Sequence, residues 1–345
     1  MSDSKLRIKF TIIFSIITIL AFSQKQESIT HDYFKTETGS TLRINLQHTA
    51  LTIVPSNNDS IAIHTHIRVY PTNPEAPFAG ISVENTQQDS LHVSSSIIIG
   101  EEIQPNNALE SRCEIHLPKG ANLKIESHYG IIDINAVVND MESTIAYTTL
   151  KIGTQSSFNT LAVTANYSTL SIDELDNTLE VDGKNIHINA DRIKNIESKT
   201  EFSVFNINSA ERINSESYTD KIVLGQVDSM FIESKKTLCH IGNLNLFFQG
   251  EMEDGTLFFN EVSPSFEAIN IANSHVKSTL NFNKDAHFLV NADMRYCLLK
   301  QEQLNLQKVV SPNSTLYRGS YGSAQSKTSN LSIISAFEDV TIHIK

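Results

Sequence analysis

One phrase returns along residues 121–283 of this chain: an apolar residue, any residue, a second apolar residue, then a small turn former. It reads Ile132-Asp133-Ile134-Asn135, Leu150-Lys151-Ile152-Gly153 and Leu170-Ser171-Ile172-Asp173. It goes on as Ile186-His187-Ile188-Asn189, Phe205-Asn206-Ile207-Asn208 and Ile222-Val223-Leu224-Gly225. Cys239-His240-Ile241-Gly242, Leu257-Phe258-Phe259-Asn260 and Leu280-Asn281-Phe282-Asn283 complete the series. The closing residues are 18, 20, 16, 19, 17, 17, 18 and 23 positions apart. All nine are Asn, Gly or Asp, which accept a left-handed backbone or form Asx turns, so each is expected to mark a corner.

The apolar pair before each corner has the two-residue period of a strand with one buried face. A second apolar pair stands upstream in several repeats, as in Leu123/Ile125, Leu161/Val163 and Leu179/Val181. A coil of about 18 residues cannot bury its inner face alone, but coils stacked about 4.8 Å apart bury a continuous core. The expected fold is therefore all-β: a single-chain β-helix or solenoid with coils of about 18 residues and an N-terminal β cap. A β-sandwich would show turns about every 8–12 residues, with no reason for one residue class at every long-period corner. Asn on successive coils also suits amide ladders. The Gly-Gly-x-Gly-x-Asp pattern of calcium-binding coils is missing from the chain.

Outside the repeat, Lys5, Arg7 and Lys9 precede an apolar run from Phe10 to Phe22 that closes with Ala21-Phe22-Ser23. Its length suits a signal peptide rather than a membrane span. Residues 1–23 are thus expected to direct export to the periplasm, the outer surface or the medium, with no transmembrane span in the mature chain. Their removal leaves 24 Lys+Arg against 38 Asp+Glu. So acidic a chain without a basic stripe is a poor partner for nucleic acid. Three scattered cysteines, Cys113, Cys239 and Cys297, form no C-x-x-C pair and point to neither a disulfide framework nor a zinc site.

Residues 24–110 alternate like strands between turn clusters and are expected to form the cap, shielding the first edge of the stack. The prolines at 71–77 mark a loop, residues 100–110 a polar link, and 111–345 the coil region, with a polar excursion at 301–328.

The stretch Leu117-Pro118-Lys119-Gly120-Ala121-Asn122-Leu123-Lys124-Ile125-Glu126-Ser127 resembles the adhesin-like β-helix family of bacterial exported proteins. There, a strand ending in Leu-Pro-x-Gly leads into repeats of strand, Ser/Thr and Gly. Asn57–Ile63 and Gln88–Val93 resemble that family's first strands, and the Ala-Phe-Ser-Gln signal ending resembles Bacteroidetes exported proteins. The resemblance implies a surface or periplasmic binding module and supplies no catalytic residues. The chain departs from the family in using Asn and Tyr where Gly is commoner.

Candidate chemistry is sparse. Carbohydrate-active β-helices gather carboxylates in a groove from one position on neighbouring coils. The column between the apolar pair (Asp133, Lys151, Ser171, His187, Asn206, Val223, His240, Phe258, Asn281) holds no carboxylate run. Asp173, Glu174, Asp176, Asp182 and Asp191 read as a solvated acidic patch. His64 and His66 share a strand face, a spacing two metal ligands could use, without a third ligand in view. No Gly-x-Ser-x-Gly elbow or phosphate loop is present.

The most suggestive feature is aromatic: Tyr129, Tyr147 and Tyr167 stand six residues before three successive corners. Phe202 takes the same offset later, with Gly183 between. In register these rings would form a ladder, either a structural stack or a strip for a glycan or cell-surface protein. The expectation is a non-enzymatic exported adhesin-like module without metal or other cofactor. A polysaccharide lyase or hydrolase, and an accessory to envelope-stress signalling, are the alternatives.

Overall fold

The computed structural model describes residues 26–69, 80–99, 109–154, 156–322 and 329–345. The expected signal peptide, the expected loop at 71–77 and nearly all of the expected polar link lie outside them. Every regular element described is a strand. The first seven are β1 (Gln26–Lys35), β2 (Thr41–Gln47), β3 (Ala50–Pro55), β4 (Ser60–Val69), β5 (Ile81–Asp89), β6 (His92–Ile99) and β7 (Leu109–Leu117). The repeats supply β8 (Asn122–His128), β9 (Ile131–Ile134), β10 (Asp140–Ala146), β11 (Thr149–Ile152) and β12 (Thr160–Asn166). They continue as β13 (Thr169–Lys184), β14 (His187–Glu201), β15 (Val204–Tyr218), β16 (Lys221–Val262) and β17 (Ala268–Phe282). The last six are β18 (Phe288–Arg295), β19 (Leu299–Lys300), β20 (Asn305–Val310), β21 (Ser314–Tyr321), β22 (Ser329–Ala336) and β23 (Val340–Ile344).

From β8 to β15 successive repeats pair in parallel, and β16 pairs in parallel with both β15 and β17. Ile132, Leu150, Leu170, Ile188, Phe205 and Ile222 form one buried column, and Ile134, Ile152, Ile172, Ala190, Ile207 and Leu224 another. The long strands stack Leu123, Met141, Leu161, Leu179, Ile196, Ile213 and Met230 in the same way. Two expected rungs move. Ile188 and Ala190, rather than Ile186 and Ile188, oppose Leu170 and Ile172, so Asp191 takes the closing place expected of Asn189. Leu280 opposes Phe259, so Asn281 rather than Asn283 follows the core residue. In both repeats a small core residue, Ala190 or Ser278, weakens the pattern, and a large neighbour imitates it.

At both ends the chain doubles back. β2 lies between β6 and β8, and β3 between β7 and β9, all parallel. β4 runs antiparallel to β7, β1 to β4, and β5 to β6. At the far end β22 lies between β17 and β18, and β23 between β17 and β19. Within the stretch 301–328, β20 and β21 extend the sheet antiparallel from β18.

The left-handed backbone does not fall on the nine closing residues Asn135, Gly153, Asp173, Asn189, Asn208, Gly225, Gly242, Asn260 and Asn283. Among the described residues it is adopted, glycine aside, by twelve others with φ between 49° and 71°. In stack order they are His48, Tyr129, Tyr147, Tyr167, Asn185, Phe202, Thr219, Lys236, Asp254, His275, Phe337 and Tyr296. All twelve occupy one column. Amide bonds between levels occur at the closing column, where Asn208 donates to Asp191 at 2.8 Å, and also before the long strands, where Asn139 donates to Asn122 at 2.9 Å and Asn159 donates to Asn139.

At four of these corners the residue after the left-handed one shows how the turn holds. Thr49, Thr148, Ser168 and Ser203 donate a hydroxyl hydrogen bond of 2.8–3.0 Å to the carbonyl two residues back, bracketing the turn. The same oxygens accept backbone N–H groups from the level before: Thr148 N–H reaches Ser168 Oγ at 3.2 Å, and Ile186 N–H reaches Ser203 Oγ at 3.1 Å. A buried amide is thereby satisfied at both places.

Asp220 takes the hydroxyl's place one level on. Its buried carboxylate accepts from Ser203 N–H at 2.7 Å, Thr200 Oγ1 at 2.6 Å and Ser217 Oγ at 2.8 Å. Burial raises its pKa above the ordinary carboxyl value, and the three donors offset part of that rise. The folded state then binds more protons than the unfolded state, so this group's contribution to stability falls as pH rises from the ordinary carboxyl value through the raised one. Asp220→Asn can accept from Ser203 and donate to both hydroxyls, so it should fold and lose that slope. Denaturant unfolding of both proteins from acid to neutral pH checks this; a wild-type minus variant difference that is flat with pH contradicts it. Asp220→Leu should cost roughly 1–3 kcal/mol for each polar group left unsatisfied.

Candidate functional site

Tyr129, Tyr147 and Tyr167 are 52, 51 and 57 % exposed, so the column faces solvent. Their rings stack with centroids 4.9 and 5.1 Å apart and planes within 9°, and His48 extends the stack at 4.8 Å. The next rung is Asn185 rather than Gly183: Tyr167 N–H reaches Lys184 O, and Asn185 N–H reaches Glu201 O. Phe202, half exposed, follows Asn185 and meets Tyr218 edge-on at 6.0 Å. The far end of the same column carries a second stack, in which Phe337 lies 4.5 Å from His275 and 5.4 Å from Tyr296. Sequence spacing found the first three rungs. It missed Asn185 because the register of that repeat lies two residues further on, and His48 and the second stack because chain order there departs from stack order.

A left-handed residue other than glycine costs about 1–2 kcal/mol, and Asn or Asp bears the conformation most easily. A stacked aromatic pair returns about 0.5–1.5 kcal/mol. The two nearly cancel, so the backbone gives no reason to prefer Tyr at this corner. Stacking also decides what the column offers. Each inner ring spends its faces on its neighbours, leaving ring edges and phenol hydroxyls toward solvent at the 5 Å rung spacing.

A second feature is an open groove of about 650 Å³ on the outer face of the long strands, lined by Glu180, Asp182, Glu197, Glu216, Lys199 and Asn214 among others. Glu180 stands opposite Glu197, and Asp182 opposite Lys199. Lys199 Nζ lies 2.7 Å from Glu216, which raises the lysine's pKa, and Asn214 donates to Glu197 at 3.0 Å. These six side chains are exposed. The groove thus has carboxylates beside a base, but not the burial that tunes a general acid.

The acidic patch read from the sequence divides. Arg192 pairs with Asp176 and, at 3.5 Å, with Glu174; Asp191 accepts from Asn208 at 2.8 Å; Asp182 faces the groove. The column between the apolar pair has Asn189 opposite Ser171 and Thr279 opposite Phe258, displacing His187 and Asn281.

The histidine pair gains neighbours from other strands. His31 of β1 lies opposite His64 with the two Nδ1 atoms in contact, and His116 stands 5.4 Å from His64 ring to ring. Burial, then the His31 and His116 charges, lower the His64 pKa, against Glu114. His116 Nε2 meets Glu114 at 2.8 Å, and His66 Nε2 lies 3.7 Å from Glu27. Among the described residues no group of three or more His, Cys, Asp or Glu is arranged to hold a metal ion. Cys113 and Cys239 are free and buried, with thiols pushed up to about 12.

No protein-family pattern and no curated protein matches this chain. Among solved structures, a candidate cell adhesion protein from Clostridium sporogenes is 12 % identical, aligned over 93 % of this chain and 100 % of its own, at a TM-score of 0.23. A candidate adhesin from Parabacteroides merdae is 8 % identical, over 73 and 96 %, at a TM-score of 0.39. A candidate lipid-binding protein from Parabacteroides distasonis is 9 % identical, over 92 and 97 %, at a TM-score of 0.29. At these scores both fold and function have to be argued from the chain itself.

The ladder's balance of strain and stacking can be measured. Tyr147→Asn relaxes the corner while losing two stacks, and should change stability by less than about 1 kcal/mol. Tyr147→Ala keeps the strain and loses the stacks, and should cost about 1–3 kcal/mol. Urea unfolding separates the two. A loss above about 2 kcal/mol for the Asn variant would make the column a packing element first.

Proposed function

We propose that this chain is a non-enzymatic, exported β-helical binding module of the adhesin-like kind, with the tyrosine column as its contact edge. On this reading residues 1–23 are the signal peptide, 24–110 the N-terminal cap and 111–345 the coils, and the mature protein works in the periplasm, on the outer surface or in the medium. Parallel pairing of each repeat with the next, and the doubled-back strands at the first edge, support the coil and the cap.

One observation carries the binding edge: aromatic side chains are held exposed at left-handed corners where Asn would fit with less strain. Strain maintained at a surface is a marker of function. The edges and hydroxyls of Tyr129, Tyr147 and Tyr167 repeat a single chemical contact along one line. A linear glycan, or a cell-surface protein with a repeating face, can engage several rungs at once, so that weak contacts act together. A cofactor has no part in this.

Mature protein on glycan arrays and on cells provides the test, comparing wild type with Tyr129, Tyr147 and Tyr167 all changed to Asn. Binding should fall tenfold or more while the unfolding midpoint stays within a few degrees. Unchanged binding removes the column from the function. The exposed carboxylates beside Lys199 favour a second reading, a polysaccharide-cleaving enzyme. That reading requires purified protein to release reducing or unsaturated ends from a polysaccharide, and Glu180→Gln with Glu197→Gln to abolish the release.

A further inference from the structure

Four strands of the sheet pair, among the described residues, on one side only: β1 with β4, β5 with β6, β20 with β21, and the two-residue β19 with β23. Such an edge is a template for another strand unless the chain blunts it. β5 is broken by a register shift between Gln87 and Asp89, and β20 is short and carries Lys308 in its middle. β1 has neither device. It runs ten residues in unbroken register with β4, without proline or bulge. Its outer face alternates Glu27, Ile29, His31, Tyr33 and Lys35, with Ile29 57 % and Tyr33 69 % exposed.

This face is chemically palindromic about His31. We propose that two copies of this chain join along β1, antiparallel and edge to edge, about a two-fold axis at His31. A partner strand in that register sets Glu27 opposite the partner's Lys35, Ile29 opposite the partner's Tyr33, and His31 opposite its own equivalent. Every contact occurs twice, as an isologous interface requires. Opposite charges and apolar pairs directly across a strand pair are the favourable combinations. Moving the axis by one residue either way keeps the same face outward but sets Ile29 or Tyr33 against His31 and unmatches both charges. Glu27 already holds Arg68 at 2.8 Å, which also reaches Glu110 at 3.1 Å, so the partner's Lys35 would join an ordered carboxylate. Backbone hydrogen bonds along the strand supply affinity, save at the Lys35 carbonyl, which already accepts from Gln87 Nε2 at 2.7 Å, and the outer face supplies the register.

Cross-linking reads that register directly. Opposed residues of an antiparallel pair lie about 4.5–5.5 Å apart at Cα, within the span a disulfide bridges. In mature protein carrying Cys297→Ser, with Cys113 and Cys239 buried, His31→Cys should give a covalent dimer under mild oxidation. Ile29→Cys alone should not, and Ile29→Cys with Tyr33→Cys should. Equal cross-linking at 29 and 31, or none at 31, overturns the proposal. Sedimentation equilibrium keeps the test open should a cysteine variant misfold. Wild type should dimerise, Lys35→Glu should weaken the dimer roughly tenfold, and Glu27→Lys with Lys35→Glu should restore it. A wild type that stays monomeric at every concentration overturns it as well, including where another protein's strand or another segment of this chain occupies the edge.

Discussion

Parallel, in-register pairing between successive repeats is the constraint on which the rest of this protein depends. Once Leu150 sits over Ile132 and Leu170 over Leu150, every following position is committed to a column, and each column imposes one backbone conformation on all its members. The left-handed corner shows this most plainly. Twelve residues as different as Thr219, Lys236 and Phe337 share it, although side-chain preference would select few of them. Their conformation is inherited from the stack. Local propensity is overridden because the alternative is to lose the pairing of a whole level with its neighbours on both sides.

What makes that inheritance bearable is the residue that follows. A hydroxyl at Thr49, Thr148, Ser168 or Ser203 ties the turn to its own carbonyl, and where the register allows it also takes the amide of the preceding level. Asp220 extends the scheme with a carboxylate that serves three donors at once. The interior of the corner is therefore polar but satisfied. This explains why small hydroxyl residues recur inside an otherwise apolar stack, and why the aromatic residue beside them is free to vary in identity.

The sequence made the core columns legible because burial imposes a strict two-residue alternation, and it made three tyrosines legible because they repeat without interruption. It lost two core rungs where Ala190 and Ser278 took the places of larger apolar residues, since the eye follows volume while the sheet follows register. It placed the sharp corners on Asn, Gly and Asp because those residues suit a left-handed backbone, whereas tertiary pairing put that backbone on Tyr and Phe. It lost His48, Phe337 and Tyr296 for a topological reason. Both chain ends fold back, so residues adjacent in the stack are far apart in sequence. The same folding back brings His31 to His64, a contact that no spacing along the chain could reveal. Within the polar excursion, composition gave no sign of strands β20 and β21, because exposed antiparallel strands at the rim of a sheet are as polar as a loop.

A fold held together by its inner columns leaves its outer columns free, so a residue there is informative in proportion to what it costs. The exposed carboxylates of Glu180, Glu197 and Glu216 cost little: they sit on a solvated strand face, and their charges are partly met by Lys199 and Asn214. Charged residues on a solvated strand face of an acidic chain ask for no further cause. The tyrosines cost a strained corner apiece, and stacking returns about as much as the strain takes. Asparagine would hold the same turn without that contest, as Asn185 does between two aromatic rungs. That an exposed residue should be neither the relaxed choice for its backbone nor needed to cover the core is the ground on which the proposed contact edge rests. On that criterion the tyrosine column outranks the acidic groove.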